Sequence, residues 1–168
     1  MGLGLKDYEA FISTLLRELE VSLGRENIIS VALFGSVARG EAHPESDIDF
    51  LLVHKEVPYD PVHQSVKALL KAERSQEYQR LNDIGCYPQA NFIFMTPKEL
   101  SPKPLILLDI MDHGILLKDE GGFLQEKLKQ LQKKLDELGA EKIFLEDGSW
   151  AWDLKPDWKP GEVIEITL

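Results

Sequence analysis

The sequence predicts an α/β (α+β) fold, one small sheet with helices packed against it. Three observations carry this. Short apolar, β-branched runs at Ile28–Phe34, Ile48–Val53 and Asn91–Met95 read as buried strands. The segments around them repeat apolar residues at three- and four-residue steps, the period of an amphipathic helix. Strands and helices alternate within 168 residues, the length of one ordinary domain.

Tyr8, Phe11, Ile12, Leu15, Leu16, Leu19 and Leu23 form the apolar stripe of a first helix, with Gly24 as its stop. The run Ile28–Phe34 ends abruptly at Gly35, and a loop of small and polar residues leads to the second strand at Ile48. Asp60-Pro61 reads as an N-cap followed by proline at the first helical position, opening a helix that continues to about Leu81. Thr96-Pro97 closes the third strand. A short buried helix is expected from Pro104 to Met111. Leu124, Leu128, Leu131, Leu135 and Leu138 mark a longer core helix, with Gly139 at its C-terminal cap.

Residues 1–139 are read as the domain proper and 140–168 as its extension, which holds Trp150, Trp152 and Trp158 and two Lys-Pro pairs. Aromatic side chains gain by docking, so this tail is expected to complete the protein's own core, with the clasping of a partner as the alternative. Val163–Leu168 is a candidate terminal strand.

The formal charge is −10, from 29 acidic against 19 basic side chains, so the basic footprint of a duplex-binding protein is missing and nucleic acid is disfavoured as a partner. The single cysteine, Cys86, permits no internal disulfide. No apolar run approaches the length needed to span a bilayer, and the expected location is cytoplasmic.

The chemistry is concentrated in Gly35-Ser36-Val37-Ala38-Arg39-Gly40 and Ser46-Asp47-Ile48-Asp49. Glycine after a buried strand lets the backbone approach a ligand closely, and the N–H groups of such a turn cradle anions. The Ser36 hydroxyl adds a donor, and the Arg39 guanidinium is placed either to reach a phosphate or to pair with an acid. Asp47 and Asp49 are two apart at a strand start, so both carboxylates project from one face, about 6–7 Å apart. Such a pair repels unless a cation sits between it, and hard oxygen ligands suit Mg²⁺.

Gly35-Ser36, ten intervening residues, then Asp47-x-Asp49 resembles the signature of the DNA polymerase β-type nucleotidyltransferase superfamily, in the spacing of its minimal prokaryotic members. The resemblance covers Gly35 to Asp49 closely and extends weakly to Met95. It implies a nucleotidyltransferase fold with a small mixed sheet. Gly35 and Ser36 would bind a nucleoside triphosphate, ATP in the first instance, with Arg39 as the further candidate contact named above, and Asp47 and Asp49 would ligate Mg²⁺ and act in catalysis. The implied reaction transfers a nucleoside monophosphate to a hydroxyl. Minimal members are commonly paired with a small helical HEPN-type partner as toxin–antitoxin modules, and that partner is a candidate acceptor.

The sequence departs from the family pattern at the third acid, which active members carry on a later strand. The matching strand, Asn91–Met95, holds no Asp or Glu. Asn91 offers a neutral oxygen but no base, and Asp83, Asp109 and Asp112 are acids elsewhere that read as helix caps or solvated positions, with their approach to the site through the fold as the alternative. The alternative to an enzyme is therefore a binding or regulatory module that has kept the fold and lost turnover. His43 and His54 flank the acid pair and are assigned no role, since Mg²⁺ prefers oxygen.

Overall fold

The buried residues Tyr8, Phe11, Ile12, Leu15, Leu19 and Leu23 all lie on α1 (Leu5–Leu23), the face that the three-and-four spacing picks out. The computed structural model describes residues 2–102, 105–146 and 150–168. After α1 come β1 (Ile28–Phe34), α2 (Gly35–Arg39), β2 (Ile48–His54), α3 (Pro61–Ala72), α4 (Gln76–Asp83), β3 (Ala90–Met95), α5 (Pro97–Leu100), α6 (Ile106–His113), β4 (Ile115–Asp119), α7 (Phe123–Leu138), β5 (Glu141–Phe144) and β6 (Trp150–Asp153).

Four strands form one mixed sheet in the order β3-β2-β1-β4. β1 runs antiparallel to both β2 and β4, while β2 and β3 are parallel. The period of two along β2 divides the protein into layers. Ile48, Phe50 and Leu52 join the core built with α1 and α3, whereas Leu51 and Val53 join the core built with α6 and α7. Helices thus cover both faces, which is why β1 and β2 read as nearly continuous apolar runs.

Asp60 caps α3 by accepting from the Val62 N–H at 2.9 Å, with Pro61 in the first turn. The single helix expected from there to Leu81 is two. The Ser75 hydroxyl accepts from the Tyr78 N–H at 3.2 Å and starts α4 after a short turn. No glycine or proline marks that break, so the only sequence signal is a serine that also fits a helix surface. Replacing Ser75 with alanine is expected to lower stability by about 1 kcal/mol, read as a shift in the urea midpoint with an unchanged slope.

Three further corrections concern the C-terminal half. The sequence reading missed α5 and the edge strand β4, whose five residues are all half-buried and carry no clean alternation. The helix expected from Pro104 begins at Ile106 (Pro104 itself lies outside the described residues) and buries Leu107 and Ile110. The tail contains an antiparallel hairpin, β5–β6, but Val163–Leu168 is not a strand. That last segment is held instead by the Leu168 N–H donating to the Ser101 carbonyl at 3.3 Å, by the Ser101 hydroxyl donating to the Leu168 carbonyl, and by the docking of Ile166 and Leu168 on the second core.

The three tryptophans differ. Trp152 packs on the second core, Trp150 lies beside His113 at a ring separation of 6.2 Å, and Trp158 is exposed. Cys86 is buried next to Tyr8, whose hydroxyl burial pushes up to about 12. Among the described residues no helix is long and apolar enough to cross a membrane.

Candidate functional site

β1 ends and β2 begins at the same end of the sheet, because their antiparallel register pairs Phe34 with Asp49. Gly35 follows at once with φ of +72°, the left-handed region that glycine enters without strain, and opens α2. The conformation is needed for a reason of space. A Cβ at Gly35 would lie 2.4 Å from Asp49 Oδ2, so the carboxylate occupies the volume that a side chain would fill. The sequence-predicted loop residue and the sequence-predicted acid are therefore in direct apposition.

On its other side Asp49 is paired in parallel register with Asn91, whose Nδ2 donates to Asp49 Oδ1 at 3.1 Å. Asp49 alternates with Leu51 and Val53, so it projects on the sheet face covered by α5, α6 and α7. Asp47, two residues earlier, is exposed and precedes the first residue of β2. Among the described residues neither aspartate is engaged in an ion pair. Ser36 is half-exposed, and its backbone carbonyl receives the Glu41 N–H at 2.9 Å, which tightens the turn after α2.

Arg39 is held by two carboxylates. Its Nε donates to Glu41 Oε2 at 2.9 Å, and a terminal nitrogen contacts Asp109 Oδ1 at 3.3 Å. The sequence left phosphate contact and ion pair level, and the guanidinium is engaged in the second arrangement. Asp109 and Asp112 pair with Arg39 and Lys142, respectively. Sequence reasoning missed a cleft of about 660 Å³ between α2, α6 and the hairpin, lined by Arg39, Asp109, His113, Lys142 and Trp150. No sequence signal announces it, since its walls come from four separate segments.

The donor set fits Mg²⁺. Asp47 and Asp49 offer hard, negatively charged oxygens, and beside Asp49 Asn91 presents a neutral amide. Among the described residues no group of three or more acidic, histidine or cysteine side chains is arranged to hold a metal ion, so oxygens from a ligand would have to complete the coordination. Replacing Asn91 with aspartate tests this. Without metal a second carboxylate would face Asp49 and repel it, so the variant is expected to melt lower than wild type. Added Mg²⁺ is expected to raise its melting temperature more than that of wild type, as read by thermal denaturation with and without the ion.

Residues 12–147 match the nucleotidyltransferase domain family. No curated protein matches the chain. Among solved structures, spectinomycin adenyltransferase AAD(9) from Enterococcus faecialis, solved with ATP and spectinomycin, aligns with a TM-score of 0.50 at 16% identity, over 77% of this chain and 66% of that one. A mutant of the toxin–antitoxin MntA-HpeT aligns with a TM-score of 0.45 at 18% identity, over 78% of this chain and 91% of that one. A toxin–antitoxin solved with AMP-PNP gives 0.40 at 18% identity, over 78% and 92%. The likeness to AAD(9) is one of fold.

Proposed function

The chain belongs to the nucleotidyltransferase domain family, and on that premise we propose that it transfers a nucleoside monophosphate from a nucleoside triphosphate, ATP in the first instance, to a hydroxyl acceptor. The observation that carries the reading is the packing of Asp49 against the bare Cα of Gly35, with Asp47 exposed two residues before it. The apposition supports reading an anion-accepting turn beside a cation-seeking acid at the end of the sheet where β1 stops and β2 starts.

Each residue has a distinct task. The backbone N–H groups at the Gly35–Ser36 turn and the Ser36 hydroxyl receive phosphate oxygens. Because α2 has only five residues, the local N–H groups matter more here than a helix dipole. Asp47 and Asp49 hold Mg²⁺, and Asn91 keeps the Asp49 carboxylate turned toward the turn. Mg²⁺, when bound, neutralises charge on the triphosphate and favours departure of pyrophosphate. Arg39, braced by Glu41 and Asp109, holds the end of α2 and the wall of the neighbouring cleft, which offers room for an acceptor.

The proposed acceptor is a side-chain hydroxyl of a HEPN-type helical partner, in keeping with the family resemblance of the Gly35–Asp49 stretch. One observation favours a second reading, a nucleotide-binding regulator without turnover. Asn91 stands opposite Asp49, where an acid would serve as a base. Pyrophosphate release from Mg·ATP, measured with and without a co-expressed HEPN-type protein, separates the two. Release accompanied by a partner mass increase of one nucleoside monophosphate supports the enzyme, and binding of ATP with no release supports the regulator.

A further inference from the structure

The segment before α1 runs alongside the end of α2. Leu3 and Ala42 form an isolated antiparallel bridge, with Leu3 N–H donating to Ala42 O at 2.7 Å and Ala42 N–H donating to Leu3 O at 3.0 Å. The two backbones touch through small residues. A Cβ on Gly2 would lie 2.3 Å from Gly40 O and 2.9 Å from Glu41 Cα, and one on Gly4 would lie 3.2 Å from Gly40 Cα. These are backbone atoms, which cannot swing aside as a side-chain tip can.

What the contact holds is the loop from Gly40 to Asp47, which joins α2 to β2. Asp47 precedes the first residue of β2, so its place depends on how that loop is pinned. Among the described residues, two sets of backbone hydrogen bonds, from segments outside α2, anchor the loop. Residues after α4 supply one, with Tyr87 N–H donating to Pro44 O at 3.1 Å and Ile48 N–H donating to Gln89 O at 2.8 Å. The bridge at Leu3 supplies the other, and it holds the half of the loop next to α2, where the Glu41 N–H also donates to the Ser36 carbonyl at 2.9 Å and the Glu41 carboxylate pairs with Arg39. Ala42 is buried where the bridge forms, so the grip is backed by the core.

We propose that Gly2-Leu3-Gly4 is a positioning strap: it seats the Gly40–Asp47 loop, and through it sets the distance between the phosphate-binding turn and Asp47. The role rests on the nucleotidyltransferase reading. The strap touches no ligand. It acts through backbone placement, and small displacements of a binding constellation cost affinity steeply.

The experiment compares full-length wild type with Gly2→Val and Leu3→Pro, and with Leu128→Ala as a variant weakened in the opposite core. Affinity for a fluorescent ATP analogue with Mg²⁺ and hydrogen exchange at residues 41–47 are both measured. Valine at 2 cannot fit against Gly40, and proline at 3 removes the N–H that donates to Ala42. Both strap variants are expected to bind the analogue about tenfold more weakly and to exchange faster across the loop, while Leu128→Ala changes only the melting temperature. Unchanged exchange in both strap variants overturns the proposal, as does an affinity loss matched by Leu128→Ala. A wild type that binds no nucleotide defeats the nucleotidyltransferase reading instead, and the strap then stands or falls on the exchange data.

Discussion

Asp49→Asn is expected to abolish pyrophosphate release, by a hundredfold or more on the order of what removing one charge-stabilising group costs, while leaving the fold intact. The two effects run in opposite directions for a physical reason. Asparagine has the size of aspartate and retains an oxygen that can accept from Asn91 Nδ2, the contact now at 3.1 Å. The change also removes one member of a like-charge pair, so the metal-free variant is expected to melt at or above the wild-type temperature. Mg²⁺ loses a negatively charged ligand, so the stabilisation that Mg·ATP gives wild type shrinks or disappears. Asp47→Asn is expected to behave in the same way, with less effect on the metal-free melting temperature because that side chain is already exposed. The measurements are pyrophosphate release and melting curves with and without Mg·ATP. Release within a few-fold of wild type in either variant would remove that aspartate from the site.

The parts of the fold that were legible are those in which one physical demand dominates. β1 and β2 lie in the middle of the sheet with helices on both faces, so nearly every side chain must be apolar and the run shows at once. α1 and α7 each bury one stripe, and the leucine spacing reports it. β4 is an edge strand seen by one neighbour, and half-burial tolerates almost any residue. The hairpin β5–β6 forms a separate two-stranded unit, and its sequence advertised only aromatic density.

The site divides along the same line. The apposition of Gly35 and Asp49 was legible because both lie on one continuous strand–loop–strand unit, where spacing translates directly into geometry. The environment of Arg39 was not, because its partner Asp109 is seventy residues away and only the packing of α6 beside α2 brings them together. The bridge at Leu3 left no signal either, since a backbone contact leaves only small residues in the sequence.

Gly35→Ala is the second large effect, and it links the backbone to the chemistry. Two costs are separable. Alanine at a φ of +72° bears the left-handed penalty, about 1–2 kcal/mol of stability. Its methyl group also meets Asp49 Oδ2 at 2.4 Å, and the easiest relief is rotation of that carboxylate. Rotation breaks the bond from Asn91 and carries the acid away from the turn. Gly139→Ala isolates the first cost, since it has a similar φ of +66° and open space around the added carbon. Both variants are therefore expected to lose comparable stability in denaturant titrations, but only Gly35→Ala loses pyrophosphate release, by about the same factor as Asp49→Asn. Because both changes then act on one carboxylate, the Gly35→Ala/Asp49→Asn double variant is expected to release pyrophosphate about as slowly as either single variant. Losses that multiply in the double variant would mean that Gly35 serves the reaction independently of Asp49, through the phosphate-binding turn alone.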